Sequence, residues 1–414
     1  MSPESPAASP LHARAFQPDV PAPLDGVRVL DLSRLVAGNV ATHHLADFGA
    51  EVVKIERTAG GDDLRNWRVK GIPAHWKVYA RNKKSVVLNL RAARGRELLL
   101  DLVATAHVLV ENYVPGRLEE MGLGPDVLHA RNPRLIVLRV SGWGQTGPFR
   151  DKPGFGSLIE AYSGFAARNG FPDRPPVLPP LALADMVAGI QGAYAVMVAL
   201  RAIETGGGSG QVIDLSLLEP LHATLGPQAL AYRLSRSVPQ RYGSQSNVSA
   251  PRNVYRCRDG KYVAMSGSTQ AMAERVMSTI GRPELIDDPR FRTNTDRVAH
   301  NDILDGIIAD FIGARDRPEV LYLFDSAGVT VGPVHDVSDL ADDDYIRERE
   351  VVVELPDADL GSVPMHNIAP RLSATPGTFR RPAPVLGEHT DEILGDLGLS
   401  AADLVALRAE GTIA

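Results

Sequence analysis

The stretch GVRVLDLSRLVAGNVATHHLADFGAEVVKIER, residues 26–57, decides the fold. VRVLDL (27–32) is a β-branched run, VATHHLADFG (40–49) has helical spacing closed by Gly49, and EVVKIE (51–56) is a second strand. Strand, helix and strand in this order predict a right-handed crossover joining two parallel strands. Ligands are then expected beyond the carboxyl ends of the strands, so the loops after Leu32 and after Glu56 are the first places to search.

The alternation continues outward. KSVVLNL (84–90), HVLVENY (107–113) and RLIVLRVSG (134–142) read as strands, with an amphipathic helix over RELLLDLVATA (96–106). A long apolar helix follows over 186–204, stopped by Gly206, Gly207 and Gly208, and QVIDLSLLE (211–219) reads as a strand running into a helix. The composition turns polar over 235–260, then KYVAMSG, a helix near 270–280 and VTVGPVHDV (329–337) mark a smaller α/β domain. A final helix is expected near 401–410. The expected organisation is a Pro- and Ala-rich flexible arm (1–23), a large doubly wound, Rossmann-like α/β domain (24–205), a linker (206–235), a smaller central α/β domain (236–335) and a return to the large domain (336–414).

Composition narrows the function. The 414 residues are 44% hydrophobic and 23% charged, enough for a large core. Lys plus Arg number 44 against 50 Asp plus Glu, a net charge of −6 that argues against a general binder of nucleic acid or anionic membrane. Cys257 is the single cysteine, which excludes an intrachain disulfide and a thiolate zinc cluster and suits a reducing, cytoplasmic setting. The N-terminal residues lack the cationic head and apolar core of a secretory signal.

The simple motifs fail. Glu56 ends the second strand where dinucleotide-binding folds place a ribose-binding acid, but the first turn, SRLVAGNVAT, offers Gly38 alone where G-x-G-x-x-G is needed. A dehydrogenase reading is therefore set aside. His43 and His44 occupy adjacent, non-facing helix positions and read as packing rather than metal ligation. G-x-S-x-G is missing, which weakens a serine hydrolase.

What stands out is Asp185, placed just before the long apolar helix. Taken alone it reads as an N-cap, although a carboxylate at a helix start is also poised for chemistry. Glycine turns surround it in sequence, SGWGQTGP (141–148), KPGFGS (152–157) and SGST (266–269), and such turns let backbone N–H groups approach a ligand. Basic residues recur near strand ends in KIER (54–57) and ARNKKS (80–85), among them Lys83, and are candidates to receive phosphates.

Six ordered segments carry a family resemblance: residues 26–57, 79–124 (YARNKKS through MGLG), 134–155 (RLIVLRVSGWGQTGPFRDKPGF), 183–194 (LADMVAGIQGAY), 208–219 (GSGQVIDLSLLE) and 386–400 (LGEHTDEILGDLGLS). They resemble the family III CoA-transferases, of the formyl-CoA and carnitine CoA-transferase type, a superfamily shared with the α-methylacyl-CoA racemases. The resemblance implies a large domain built from both chain ends, a small central domain and an interlocked homodimer whose active site lies between the large domain of one chain and the small domain of the other. The connections near 205–250 and 330–345 suit such crossings.

The resemblance makes Asp185 a covalent nucleophile that carries CoA as an aspartyl thioester, with acyl-CoA and a carboxylic acid as substrates and neither metal nor redox cofactor. By position Arg57 and Lys152 match CoA-contacting residues; Arg117 lies near the place of another expected arginine, occupied here by Glu120. The racemase histidine position holds Phe155, which cannot exchange protons, so transfer is favoured over 2-methylacyl-CoA racemisation. A non-catalytic CoA-binding protein is the third reading. Val36 stands in place of a glutamine of the formyl-CoA transferases, and SQSNVSAPRN (244–253) replaces their glycine run, which disfavours oxalate. Arg241 and Arg252 near that loop are candidates to hold the second carboxylate of a dicarboxylic acid.

Overall fold

The computed structural model describes residues 11–414. They form two compact units: one runs up to Phe165 and continues over Leu178–Gln228 and Asp344–Ala414, the other comprises Ala166–Val177 and Ala229–Asp343.

The large unit is built on six strands, β1 (Arg28–Asp31), β2 (Glu51–Glu56), β3 (Lys83–Val87), β4 (Val108–Glu111), β5 (Ile136–Ser141) and β6 (Val212–Ser216). All neighbours are parallel and the order is β3-β2-β1-β4-β5-β6, the doubly wound arrangement. Parallel sheets need cover on both faces, and alternate residues of each strand supply two cores. Val29, Val52, Val110 and Leu138 meet helices α1 (Ala37–Asp47) and, later in the chain, the long helix Leu183–Gly206. Leu30, Val53, Leu109 and Val137 face the other way, onto α2 (Ala93–Val103) and the C-terminal side chains Ile393, Leu394, Leu404 and Leu407. The C-terminal tail therefore closes the layer that the N-terminal half leaves open.

Two further helices position the site, α3 (Gly156–Tyr162) and the long α4 (Leu183–Gly206). α4 is apolar and long enough to cross a membrane by length and composition. Its stripe Ala188, Gly192, Val196, Ala199 and Ile203 is nonetheless packed into the core of the large unit. The smaller unit carries an antiparallel sheet, β7 (Arg252–Arg256), β8 (Tyr262–Ser266) and β9 (Val331–Pro333), over a core that includes Phe291, Ile308 and Phe324. A hairpin, β10 (Val352–Asp357) and β11 (Gly361–His366), belongs to the large unit.

Three expectations about organisation change. Of the expected arm over 1–23, residues 1–10 lie outside the described residues, and the rest is anchored: Ala13 bridges to Glu354, the Gln17 N–H donates to Phe379 O at 2.7 Å, and Phe16 packs beside Val353 and Phe379. One aromatic side chain and free backbone groups outweigh the Pro- and Ala-rich composition. Residues 206–235 are not a linker throughout, because Val212–Ser216 completes the main sheet and Leu221 is buried beneath it. The smaller unit also takes in Ala166–Val177, a piece hidden by its Gly- and Pro-rich composition.

Candidate active site

The strand order reverses between β1 and β4, so the loops leaving these strands diverge and open a crevice. A reciprocal pair of bonds ties them together: the Arg34 N–H donates to Asn112 Oδ1 at 2.8 Å and Asn112 Nδ2 donates to the Arg34 carbonyl at 2.7 Å. Arg34 and Tyr113 line two cavities at this point. One, of about 630 Å³, is walled by Arg57, Thr58, Asn89, Arg91 and Arg117. The other, of about 340 Å³, is walled by Ala37, Trp143, Arg150, Lys152, Phe155 and Asp185.

Beneath the first loop lies a fully buried ionic network. Asp31 Oδ1 accepts from Ser33 N–H (3.0 Å), Ser33 Oγ (2.6 Å) and Lys54 Nζ (3.1 Å), and Oδ2 accepts from Thr42 Oγ1 (2.6 Å) and Lys83 Nζ (3.2 Å). Lys54 also meets Asp62 at 3.0 Å, and Asp62 accepts from Leu35 N–H and Asn39 Nδ2. Two carboxylates and two ammonium groups thus balance where isolated charge is prohibitive. Burial alone would raise Asp31, but Lys54 and Lys83 bring it down to about 2. Burial and the nearby Lys54 charge push Lys83 down to about 8. The network fixes Leu35 at φ 62° and sets the start of α1.

Asp185 sits in the first turn of α4, three residues beyond the cap position Ala182. The N-cap reading is therefore corrected: the Ala184 N–H is met by Glu160 Oε1 at 3.2 Å. Burial first, and then the negative charge of Glu160, push the Asp185 carboxyl up to about 6, against a partial pull from the Ala37 and Asp185 backbone N–H groups. Space for the carboxylate comes from Gly156, where a Cβ would stand 2.3 Å from Asp185 Oδ2. The two glycine turns named with Asp185 meet here: Gly142 and Gly154 cross backbone to backbone, a Cβ on Gly142 falling 2.5 Å from Gly154 Cα. The third turn, 266–269, belongs to the smaller unit.

The basic candidates divide. Lys152 lines the cavity of Asp185, its ammonium 3.6 Å from the centre of the Phe149 ring. Arg57 and Arg117 line the larger cavity, paired respectively with Asp63 and with Glu120, the latter at 2.7 Å. Both pairs are exposed, and such pairs yield readily to an incoming anion. Lys83 is 0% exposed, bonded to Asp31, Asn39 and Thr42, and lies in neither cavity, so its assignment as a CoA contact is withdrawn. It is the first residue of β3, where a lysine that seals a network looks in sequence like one that meets solvent.

Other residues take plain structural places. Glu56 binds Arg65 and Ser85, His43 is buried beside Tyr79 and His366, and Val36 packs against the Leu64 and Trp76 cluster. Phe155 is 63% exposed at the mouth of the smaller cavity. In the smaller unit Arg241 donates to the carbonyls of Phe171 (3.0 Å) and Arg174 (2.6 Å), while Arg252 is exposed on β7. Sequence reasoning missed Arg34, Arg150 and Glu160. Arg34 was within reach, since it follows Ser33 in a loop singled out for search; the partner of Glu160 is visible only once α3 and α4 are packed.

The chain is similar to known proteins over most of its length. The chain is 40% identical over 397 residues to a succinyl-CoA–D-citramalate CoA-transferase of Chloroflexus aurantiacus, covering 95% of this chain and 98% of that protein. It is 33% identical to the succinyl-CoA:glutarate CoA-transferase of Homo sapiens, covering 91% and 86% respectively. The crystal structure of a CaiB/BaiF family protein from Brucella suis superposes with a TM-score of 0.81 at 31% identity, covering 91% of this chain and 99% of that one. The family model for CoA-transferase family III matches residues 24–390, and this chain belongs to that family as a CoA-transferase.

Proposed function

We propose that the enzyme moves CoA from succinyl-CoA, or a closely similar donor, to a second dicarboxylic acid through a thioester on Asp185. The carrying observation is that Asp185 and Lys152 wall one cavity at the sheet's switch point while Arg57 and Arg117 wall its neighbour, with Arg34 shared. The named relatives, which transfer CoA from succinyl-CoA to D-citramalate or glutarate, support the substrate class.

An Asp185 oxygen attacks the donor thioester carbonyl, and the tetrahedral intermediate expels CoA thiolate to leave a mixed anhydride. The thiolate attacks the aspartyl carbonyl, releasing the donor acid and leaving CoA on Asp185. The acceptor carboxylate attacks that thioester, expelling thiolate again and forming a second anhydride. Thiolate then attacks the acceptor's acyl carbon, and Asp185 leaves as a carboxylate. No ATP, metal or redox cofactor enters the balance. Arg57, Arg117 and Arg34 are assigned to the CoA phosphates and Lys152 to the thiolate or acyl end. Phe155 stands where the racemase needs a base, which supports transfer over racemisation.

Incubation with succinyl-CoA, trapping with hydroxylamine or borohydride, and mass mapping should place the adduct on Asp185; a panel of mono- and dicarboxylates then identifies the acceptor. An adduct on another residue ends this reading. The attacking group must be ionised, so the initial rate of adduct formation is expected to be level above the Asp185 pKa of about 6. Below it the rate should fall about tenfold per pH unit, as the protonated fraction takes over.

We also propose a homodimer, interlocked as the family resemblance implies, in the cytoplasm. The outer face of α4 supports it: Ile190, Tyr194, Met197 and Val198 are all exposed along one side of a helix whose other side is core. Sedimentation is expected to give about twice the 44.5 kDa chain mass, and Tyr194→Asp with Ile190→Asp should shift it toward the single chain.

A further inference from the structure

α3 turns two positions four residues apart toward the start of α4, Gly156 beside the Asp185 carboxylate and Glu160 beside the backbone. Glu160 is 3% exposed. Three N–H groups of α4 precede its first regular helical bond, from Met186 N–H to the Ala182 carbonyl. The Leu183 N–H donates to the Leu181 carbonyl at 2.8 Å, that of Asp185 faces its own carboxylate, and that of Ala184 goes to Glu160. A neutral amide would satisfy Ala184 equally well, so a buried acid at this place is a chemical choice rather than a packing need.

We propose that Glu160 is the positioning residue for Asp185, holding the helix-start N–H that would otherwise compete for the nucleophile's oxygens and setting a second negative charge behind them. This rests on the aspartyl-CoA reading above. The charged groups around Asp185 are Glu160 from α3, Arg34 from the loop after β1, Asp63 from the segment after β2, and Arg150 and Lys152 from the turn before α3. Among them Glu160 is the group whose charge raises Asp185. The direction suits a side chain that must both attack and leave. A more basic carboxylate is the better nucleophile toward a thioester, yet it remains a better leaving group than a thiolate of pKa about 8.5.

The test is the single-turnover rate of Asp185 adduct formation from succinyl-CoA, followed from about pH 4.5 to about 8.5, with Glu160→Gln against the native enzyme. The glutamine keeps an acceptor for Ala184 and removes the charge. The acid limb is expected to move down by roughly one pH unit and the plateau to fall several-fold, with KM little changed. A limb that stays at the native pH overturns the proposal. Should the glutamine variant fail to fold, Glu160→Asp supplies the same readout: it keeps the charge and withdraws the Ala184 contact, so the limb should hold while the plateau falls, and an unchanged plateau overturns the role. If the native enzyme itself forms no adduct on Asp185, the aspartyl-CoA reading fails instead.

Discussion

Asp185→Ala is expected to abolish both the trapped adduct and net CoA transfer, lowering turnover by at least ~10⁴-fold, the scale on which covalent nucleophiles are lost. CoA affinity should change little, because Arg57, after β2, and Arg117, at the start of a short helix, line the neighbouring cavity, which Asp185 does not line. Equilibrium binding of CoA by calorimetry beside a turnover assay separates the two. Asp185→Asn makes a sharper probe: it keeps the size that Gly156 accommodates and removes the attacking charge. Residual turnover in both variants within tenfold of the native enzyme would eliminate covalent catalysis by this side chain.

The second large effect concerns stability. Asp31→Ala leaves Lys54 and Lys83, both fully buried, with Asp62 as the remaining carboxylate within Lys54's reach. Breaking a buried charge network from one side costs about 3–5 kcal/mol, so the melting temperature should drop by several degrees in calorimetry. The loop carrying Arg34 and Leu35 should loosen with it, and the loss in CoA transfer should exceed what the remaining folded fraction explains. The pH dependence follows in sign. Asp31 is held at about 2, below its ordinary value of 3.8, so its stabilisation is complete above pH 3.8 and is lost as the pH falls toward 2. The native chain should therefore outlast the Asp31→Ala variant by the widest margin near neutrality and converge with it in strong acid.

Much of the large unit was legible because its strands keep short β-branched and apolar stretches between turn signals and its helices keep their spacing. β1, β2, β4 and β5 fall within a residue or two of the runs that predicted them. β6 was read as a strand, but nothing local tells that Val212–Ser216 pairs with β5 rather than ending in a linker. Asp185 was found because it precedes a long apolar helix, and the functional weight came from the ordered motifs around it. Lys83 was misread because a lysine at a strand start is ordinarily solvated; only the convergence of Asp31, Asn39 and Thr42 turns it inward. Glu160 was missed for the complementary reason: its role is a contact between two helices that are separate in sequence.

The crossing of Gly142 over Gly154 leaves no side chain between two segments of main chain. Such a seam cannot be tuned by degrees. Any larger residue would shove aside the strand end or the turn bearing Lys152 and Phe155, and the Asp185 carboxylate would lose its wall. Adaptation toward a longer or bulkier acid is thereby steered to the free rim, where the Phe155 ring can be exchanged without disturbing the scaffold beneath it.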